Sequence, residues 1–174
     1  MQLCLFSSTP DMLGLDFVVK VLTGHPEELA QRAVDWGYDG IEFMPNPDNL
    51  PNPQHVERAL KAAGALMPVV NTGRMFSQGM ALLHREAGVR QRSLEAYRSI
   101  LGFAGYFGSR VGLGIARGQE VLGSRQEEMD EIADGVLRCR ADTRTPATPV
   151  HRSVDIHRSV NLTRPGCRGI FAWY

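Results

Sequence analysis

The chain has little that would tie it to a membrane, a nucleic acid or an oxidising compartment. Its three cysteines, Cys4, Cys139 and Cys167, are odd in number and lack the short pair spacings of zinc, redox or disulfide motifs, so they read as incidental thiols. Long apolar runs are missing too. The opening MQLCLFSSTPDMLGLDF has no basic leading region and its apolar stretch ends within a few residues, so it fails as a secretory signal and is far too short to span a bilayer. A cytoplasmic location without membrane contact is the expectation, and the glycosylation-like Asn161-Leu162-Thr163 carries no weight without a secretory segment. There is no excess of charge: 19 Lys and Arg balance 19 Asp and Glu, which gives no reason to expect a nucleic acid as partner. Finally, GLGIARG has neither the lysine-hydroxyl ending of a P-loop nor the second glycine spacing of a dinucleotide fingerprint, which disfavours ATP and NAD.

What is present fits one soluble domain, or part of a larger one: 174 residues, 43% of them hydrophobic and 22% charged. A domain of this length hides roughly 70% of its unfolded surface, so neither metal nor disulfides are needed to supply a core. The balanced charge conceals an asymmetry. Residues 1–137 hold 12 basic and 17 acidic side chains, whereas residues 138–174 hold 7 and 2, so a segment of net −5 precedes one of net +5.

Up to Leu137 the chain alternates between strand and helix signals. Gln2-Leu3-Cys4-Leu5-Phe6 reads as a buried strand, and Ser7-Ser8-Thr9-Pro10-Asp11 as a loop. A helix is predicted over 26–36, with Pro26 at its first position, Glu27 and Glu28 in its first turn, and Leu29, Ala33 and Trp36 as its apolar stripe. Gly37 ends it, Tyr38-Asp39-Gly40 turns the chain, and the alternation of Ile41-Glu42-Phe43-Met44 marks a second strand. PNPDNLPNP, with four prolines and three asparagines, is a rigid loop. A second helix follows over 54–63, with Val56, Leu60 and Ala63 on one side and Gly64 as its stop. Residues 65–71 are a third strand, weakened by Pro68. Residues 72–79 read as loop. Leu94, Tyr97, Leu101 and Ala104 mark a helix over 86–107 stopped by Gly108, and the alternation of Val111, Leu113 and Ile115 marks a fourth strand over 110–115. A fourth helix spans 125–137.

This order argues for parallel strands joined by crossovers, either a small open sheet or half of an eight-unit barrel. After Leu137 the pattern stops. The tail over 138–174 has seven arginines and no lysine and repeats a phrase, His151-Arg152-Ser153-Val154-Asp155 and His157-Arg158-Ser159-Val160-Asn161. It reads foremost as a non-native product of truncation or frame shift. An ordinary irregular terminus, or a basic arm that touches RNA or phosphate with Phe171, Trp173 and Tyr174 as stacking groups, are the other readings.

In parallel β/α architectures the reacting groups gather beyond the C-terminal ends of the strands. That rule selects Ser7 and Ser8, then Glu42, then Asn71, Thr72 and Arg74, and finally Arg117. Glu42 is the sharpest choice because Ile41 and Phe43 point the other way. It suits the orientation of a substrate hydroxyl or a neighbouring base, although capping a helix or pairing with a surface arginine would suit it equally. Asn71 and Arg74 offer directional bonds to polyol hydroxyls or phosphate, against the alternative of a simple Asn-Gly turn. Arg117 suits an anionic or polyhydroxylated ligand, or a salt bridge between loops. His25, His55 and His84 are dispersed, and each reads as structural or solvated rather than as a metal ligand.

Residues 1–137 resemble the N-terminal half of the sugar phosphate isomerase/epimerase superfamily, whose fold is a xylose-isomerase-like TIM barrel. The correspondence lies in Pro26-Glu27-Glu28-Leu29-Ala30 with Trp36-Gly37-Tyr38-Asp39-Gly40-Ile41-Glu42-Phe43, in Val69-Val70-Asn71-Thr72-Gly73-Arg74, and in Ala104-Gly105-Tyr106-Phe107-Gly108 followed by Gly114-Ile115-Ala116-Arg117-Gly118. The resemblance implies an α/β chain with a partial (β/α)8 TIM barrel, about four β/α units, followed by the irregular tail. For the intact family member it implies metal-assisted isomerisation or epimerisation of a small sugar, sugar phosphate or hydroxy-carbonyl compound through an enediolate, with activity not implied for this truncated chain. A divalent ion, Mn²⁺, Mg²⁺ or Zn²⁺, is implied for the intact family member, whose ligands come mainly from later strands. No ligand role is transferred to Asp142, His151, Asp155 or His157, and this chain is expected not to bind the metal. Glu42, Asn71, Arg74 and Arg117 carry over as residues of the substrate mouth, while no catalytic residue is assigned. Dehydration of an inositol-type ketone would use the same enolisation. DNA repair of the endonuclease IV kind is disfavoured by the balanced charge and the lack of a histidine-rich cluster. A non-catalytic β/α fragment in protein interaction or assembly is the alternative from another class, and uncovered sheet edges lead to an expectation of self-association.

Overall fold

The computed structural model describes residues 2–12 and 22–118. They form an α/β unit: β1 (Cys4–Ser8), β2 (Leu22–Thr23), α1 (Pro26–Asp35), β3 (Gly40–Met44), α2 (Pro53–Ala63), β4 (Leu66–Asn71), α3 (Gly73–Ser77), α4 (Ala87–Phe107) and β5 (Arg110–Gly112). Short 3₁₀ turns at Pro10–Met12 and Gly114–Arg117 follow β1 and β5. The helix predicted over 125–137 and the tail over 138–174 lie outside the described residues.

The helix boundaries follow local chemistry. Pro26 opens α1, where its missing N–H costs no intrahelical bond, and Glu27 and Glu28 sit against the positive end of the helix dipole. The Asn52 side chain caps α2 by accepting from the His55 N–H at 3.2 Å, a bond of a kind worth about 1 kcal/mol. Gly64 and Gly108 end α2 and α4 in the left-handed conformation, which glycine adopts without strain. Trp36 departs from the expected stripe. It is the C-cap residue of α1, its backbone has left helical geometry, and it is 58% exposed, so the buried stripe consists of Leu29, Ala30 and Ala33.

All strand pairs are parallel, in the spatial order β2-β1-β3-β4-β5. Apart from the two-residue β2, which the sequence pattern did not indicate, neighbours in space are neighbours along the chain. The helices α1, α2 and α4 form one contiguous layer, α1 on α2 and α2 on α4. Leu5, Ile41, Phe43 and Val70 face that layer and share a core with Leu29, Val56, Leu60, Ile100 and Phe103. Among the described residues no helix is long and apolar enough to cross a membrane.

Three segments differ from their sequence-based expectations. Ser7 and Ser8 belong to β1 rather than to a loop; both are fully buried, and their hydroxyls donate to the carbonyls of Glu42 at 3.2 Å and Met44 at 2.6 Å. Burial next to β3 supplies acceptors that a loop reading did not foresee. The presumed loop over 72–79 contains α3, five residues long. The fourth strand stops at Gly112, so the alternation toward Ile115 is not continued in the sheet. The carbonyls of Ala116 and Arg117 instead accept from the N–H groups of Leu82 at 3.0 Å and Leu83 at 2.9 Å, and β4 has already ended at Asn71. Pro68 remains in β4 because of a register shift. Gly40 pairs with Leu66 and Glu42 with Val69, so β4 carries one residue more than β3 there, and an irregular ladder tolerates a residue without a donor.

Candidate functional site

The C-terminal ends of β1, β3 and β4 gather a polar cluster from three loops. Register places Glu42 on the sheet face opposite Ile41 and Phe43, as the alternation implied, and the Asn71 amide nitrogen donates to Glu42 Oε1 at 3.1 Å. The Asn71 carbonyl oxygen accepts from the Gly73 N–H at 2.9 Å, which fixes the amide orientation. The adjoining Thr72 is fully buried, and its hydroxyl lies 2.9 Å from the Gly112 carbonyl oxygen and 2.7 Å from that of Leu113. Thr72 therefore ties β4 to the end of β5 rather than serving a ligand. Glu42 and Asn71 are half-buried, which leaves them polar capacity at the mouth.

Arg74, from α3, points across the mouth. Its Nη2 donates to Asp11 Oδ2 at 3.4 Å and its Nη1 to the Ser77 hydroxyl at 3.1 Å, and its side chain is only 14% exposed. Asp11 also accepts from the Asn46 amide at 2.7 Å. The Gln78 amide donates to Asn46 Oδ1 at 3.1 Å and to Asp48 Oδ2 at 2.7 Å. The loops after β1 and β3 are thus cross-linked to α3. Arg117 lies exposed in the turn that packs against α3, and no hydrogen bond or ion pair among the described residues joins its side chain to Glu42, Asn71 or Arg74. The structure therefore brings Glu42 together with Asn71, places Arg74 with Asp11, and leaves Arg117 at the rim.

Sequence reasoning missed Asp11, Asn46 and Gln78. Asn46 stands two residues beyond β3, and a wider reading of strand ends would have selected it. Gln78 follows α3, whose five residues carry no helical signal in the sequence, and the partners of Asp11 are 35 and 63 residues away.

Partial burial opposes ionisation of Asp11, but hydrogen bonds from Thr9 and Asn46 and the Arg74 charge outweigh it and hold the carboxyl below its ordinary value of 3.8. A carboxyl lowered in the folded state stabilises the fold above 3.8, and this contribution is lost as pH falls through the folded value. We expect the chain to exceed an Asp11→Asn variant in stability at neutral pH, by a small margin because the Asp11 side chain is 39% exposed. The margin should disappear on acidification below 3.8 in urea-unfolding measurements; a margin that persists in acid would remove the charge from this account.

Other reactive groups are occupied elsewhere. Burial pushes the Cys4 thiol up, with the Asp39 and Glu42 charges adding to it, so its nucleophilic thiolate is suppressed. His55 lies 2.5 Å from Glu27 on the exposed α1–α2 surface, His84 accepts from the Glu86 N–H at 3.1 Å, and His25 is the N-cap residue of α1. Among the described residues no group of three or more His, Cys, Asp and Glu converges in a way that could hold a metal ion. Comparison with protein-family models gives no match, and comparison with curated proteins gives none either.

Proposed function

We propose that the described residues are the substrate-orienting half of a xylose-isomerase-like barrel, and that its reaction class is isomerisation or epimerisation of a small sugar or hydroxy-carbonyl compound in the cytoplasm. The observation that carries this reading is the Glu42–Asn71 pair, 3.1 Å apart at the C-terminal ends of neighbouring parallel strands. The order β1-β3-β4-β5, sequential apart from the short β2, and a single layer of α1, α2 and α4 support the barrel half. A carboxylate acceptor and a carboxamide suit vicinal hydroxyl and carbonyl groups, because together they accept from one oxygen and donate to the next.

The described residues do not on their own fit the divalent ion that the resemblance implies, since they bring no ligand set together. What they do supply is orientation. Glu42 accepts from a substrate hydroxyl, Asn71 holds Glu42 in place, and the Asp11–Arg74–Asn46–Gln78 network keeps the loops around them at fixed separation.

The test is a ligand-observed NMR titration of the whole chain with free ketoses and dihydroxyacetone. We expect at least one of these compounds to bind, and expect Glu42→Gln to weaken that binding by about tenfold to a hundredfold, the worth of one charge-assisted hydrogen bond. A panel in which no compound binds would overturn the proposal. It would favour a second reading, an interaction or assembly subunit, which rests on the exposed Leu3, Trp36 and Leu66. Leu3 and Leu66 are brought together at the opposite end of the sheet by their backbone bonds to Asp39.

A further inference from the structure

We infer that Asp11 determines specificity at this mouth: by holding Arg74 it turns the site toward an uncharged polyhydroxylated carbonyl compound and away from a phosphate ester. The inference rests on the hydroxy-carbonyl reading of the mouth and narrows it to one substrate class.

An arginine that recognises phosphate presents its planar fork, so that two N–H groups meet two oxygens. Arg74 is not disposed in that way. One N–H of Nη2 donates to Asp11 and one of Nη1 to Ser77, Nε is buried without a hydrogen-bond partner, and the side chain is only 14% exposed, so burial and the Asp11 carboxylate withhold the fork from a ligand. Asp11 cannot swing aside freely, because Asn46 donates to the same Oδ2 at 2.7 Å. Asn46 is in turn held by Gln78, so the neutralising carboxylate is anchored from two loops. The remaining polar groups of the cluster, Glu42, Asp48, Asn46, Asn71 and Gln78, are carboxylates and carboxamides. They suit hydroxyls, and their negative members repel a dianionic phosphate. Among the described residues Arg117, in the turn that packs against α3, is outside this bonded network.

The test compares D-ribulose with its terminal phosphate ester by ligand-observed NMR titration on the whole chain and on Asp11→Asn. The unmodified chain should bind the free ketose at least as tightly as the ester. Asp11→Asn removes the negative charge that offsets Arg74, and the affinity ratio should move toward the ester by about tenfold or more, as expected for one new charge-assisted pair. A preference of the unmodified chain for the ester, weakening with added salt, would overturn the inference and point to Arg117 as an anion contact. An unchanged ratio in a folded variant would overturn it as well. That first comparison uses the unmodified chain alone, so a variant that fails to fold does not remove the test. If neither compound binds, the hydroxy-carbonyl reading itself falls, and the inference with it.

Discussion

Gly40→Ala should destabilise the chain by about 3 kcal/mol or more, the upper range for forced overpacking, and should disrupt the pairing of β3 with β4. A Cβ built on Gly40 would stand 2.0 Å from the Leu66 carbonyl oxygen and 2.6 Å from both its carbonyl carbon and its nitrogen. These are backbone atoms, so no rotamer change relieves the clash, and the strands must part where Leu66 N–H also bonds to the Asp39 carbonyl at 2.9 Å. The sequence presents Gly40 as a turn residue, whereas its requirement in the fold is the close approach of two backbones. Gly102→Ala is the internal control. Gly102 lies in α4 with nothing within 4 Å of the added carbon, and alanine there should stabilise by about 1 kcal/mol through helix propensity. Urea unfolding followed by circular dichroism measures both. A Gly40→Ala midpoint equal to that of the parent chain would show that the two backbones are not in fact so close.

The second large effect is expected for Phe43→Ala, at about 3–5 kcal/mol, the range for removing a fully buried phenyl ring. Phe43 is 0% exposed and packs on Phe103 with ring centroids 6.2 Å apart, and Phe103 packs on Phe107 at 5.1 Å. The ring joins β3 to α4 and so joins the sheet to the helical layer. Since Glu42 precedes Phe43 on the same strand, loosening this contact should also weaken the ligand binding proposed for Glu42 under conditions where the variant remains folded. A loss of less than about 1 kcal/mol by the same unfolding measurement would mean that the core closes around the missing ring, contrary to the usual partial relaxation of packed interiors.

The two substitutions bracket how the candidate site is made. Glu42 owes its direction to the strict alternation of β3, a local property, and its neighbour Asn71 to the register between β3 and β4, a pairing property. Arg74 was visible as a cation beyond a strand end, but its chemical state depends on Asp11, a residue from a different loop. A reading confined to residues adjoining strands recovers the first kind of information and loses the second.

Apart from β2 and α3, the sequence by itself determined the alternation of strand and helix through Gly112 and most of the element boundaries. Pro26, Asn52, Gly64 and Gly108 act within one helical turn of their own position, and the apolar spacings of α1, α2 and α4 need no knowledge of what they face. It also placed Glu42 on the face opposite the core. Only the tertiary structure decided that Ser7 and Ser8 are buried strand residues, that Trp36 is left outside the core, that β5 ends at Gly112, that Gly40 must lack a side chain, and that Asp11 engages Arg74. Each of these depends on a partner supplied from another part of the chain: carbonyls of β3 for the serines, the N–H groups of Leu82 and Leu83 for the turn after β5, and the Leu66 backbone for Gly40. Helix periodicity and capping are set by residues a few positions apart, whereas such long-range bonds and contacts exist only once the chain has closed its loops, which is why no local pattern announces them.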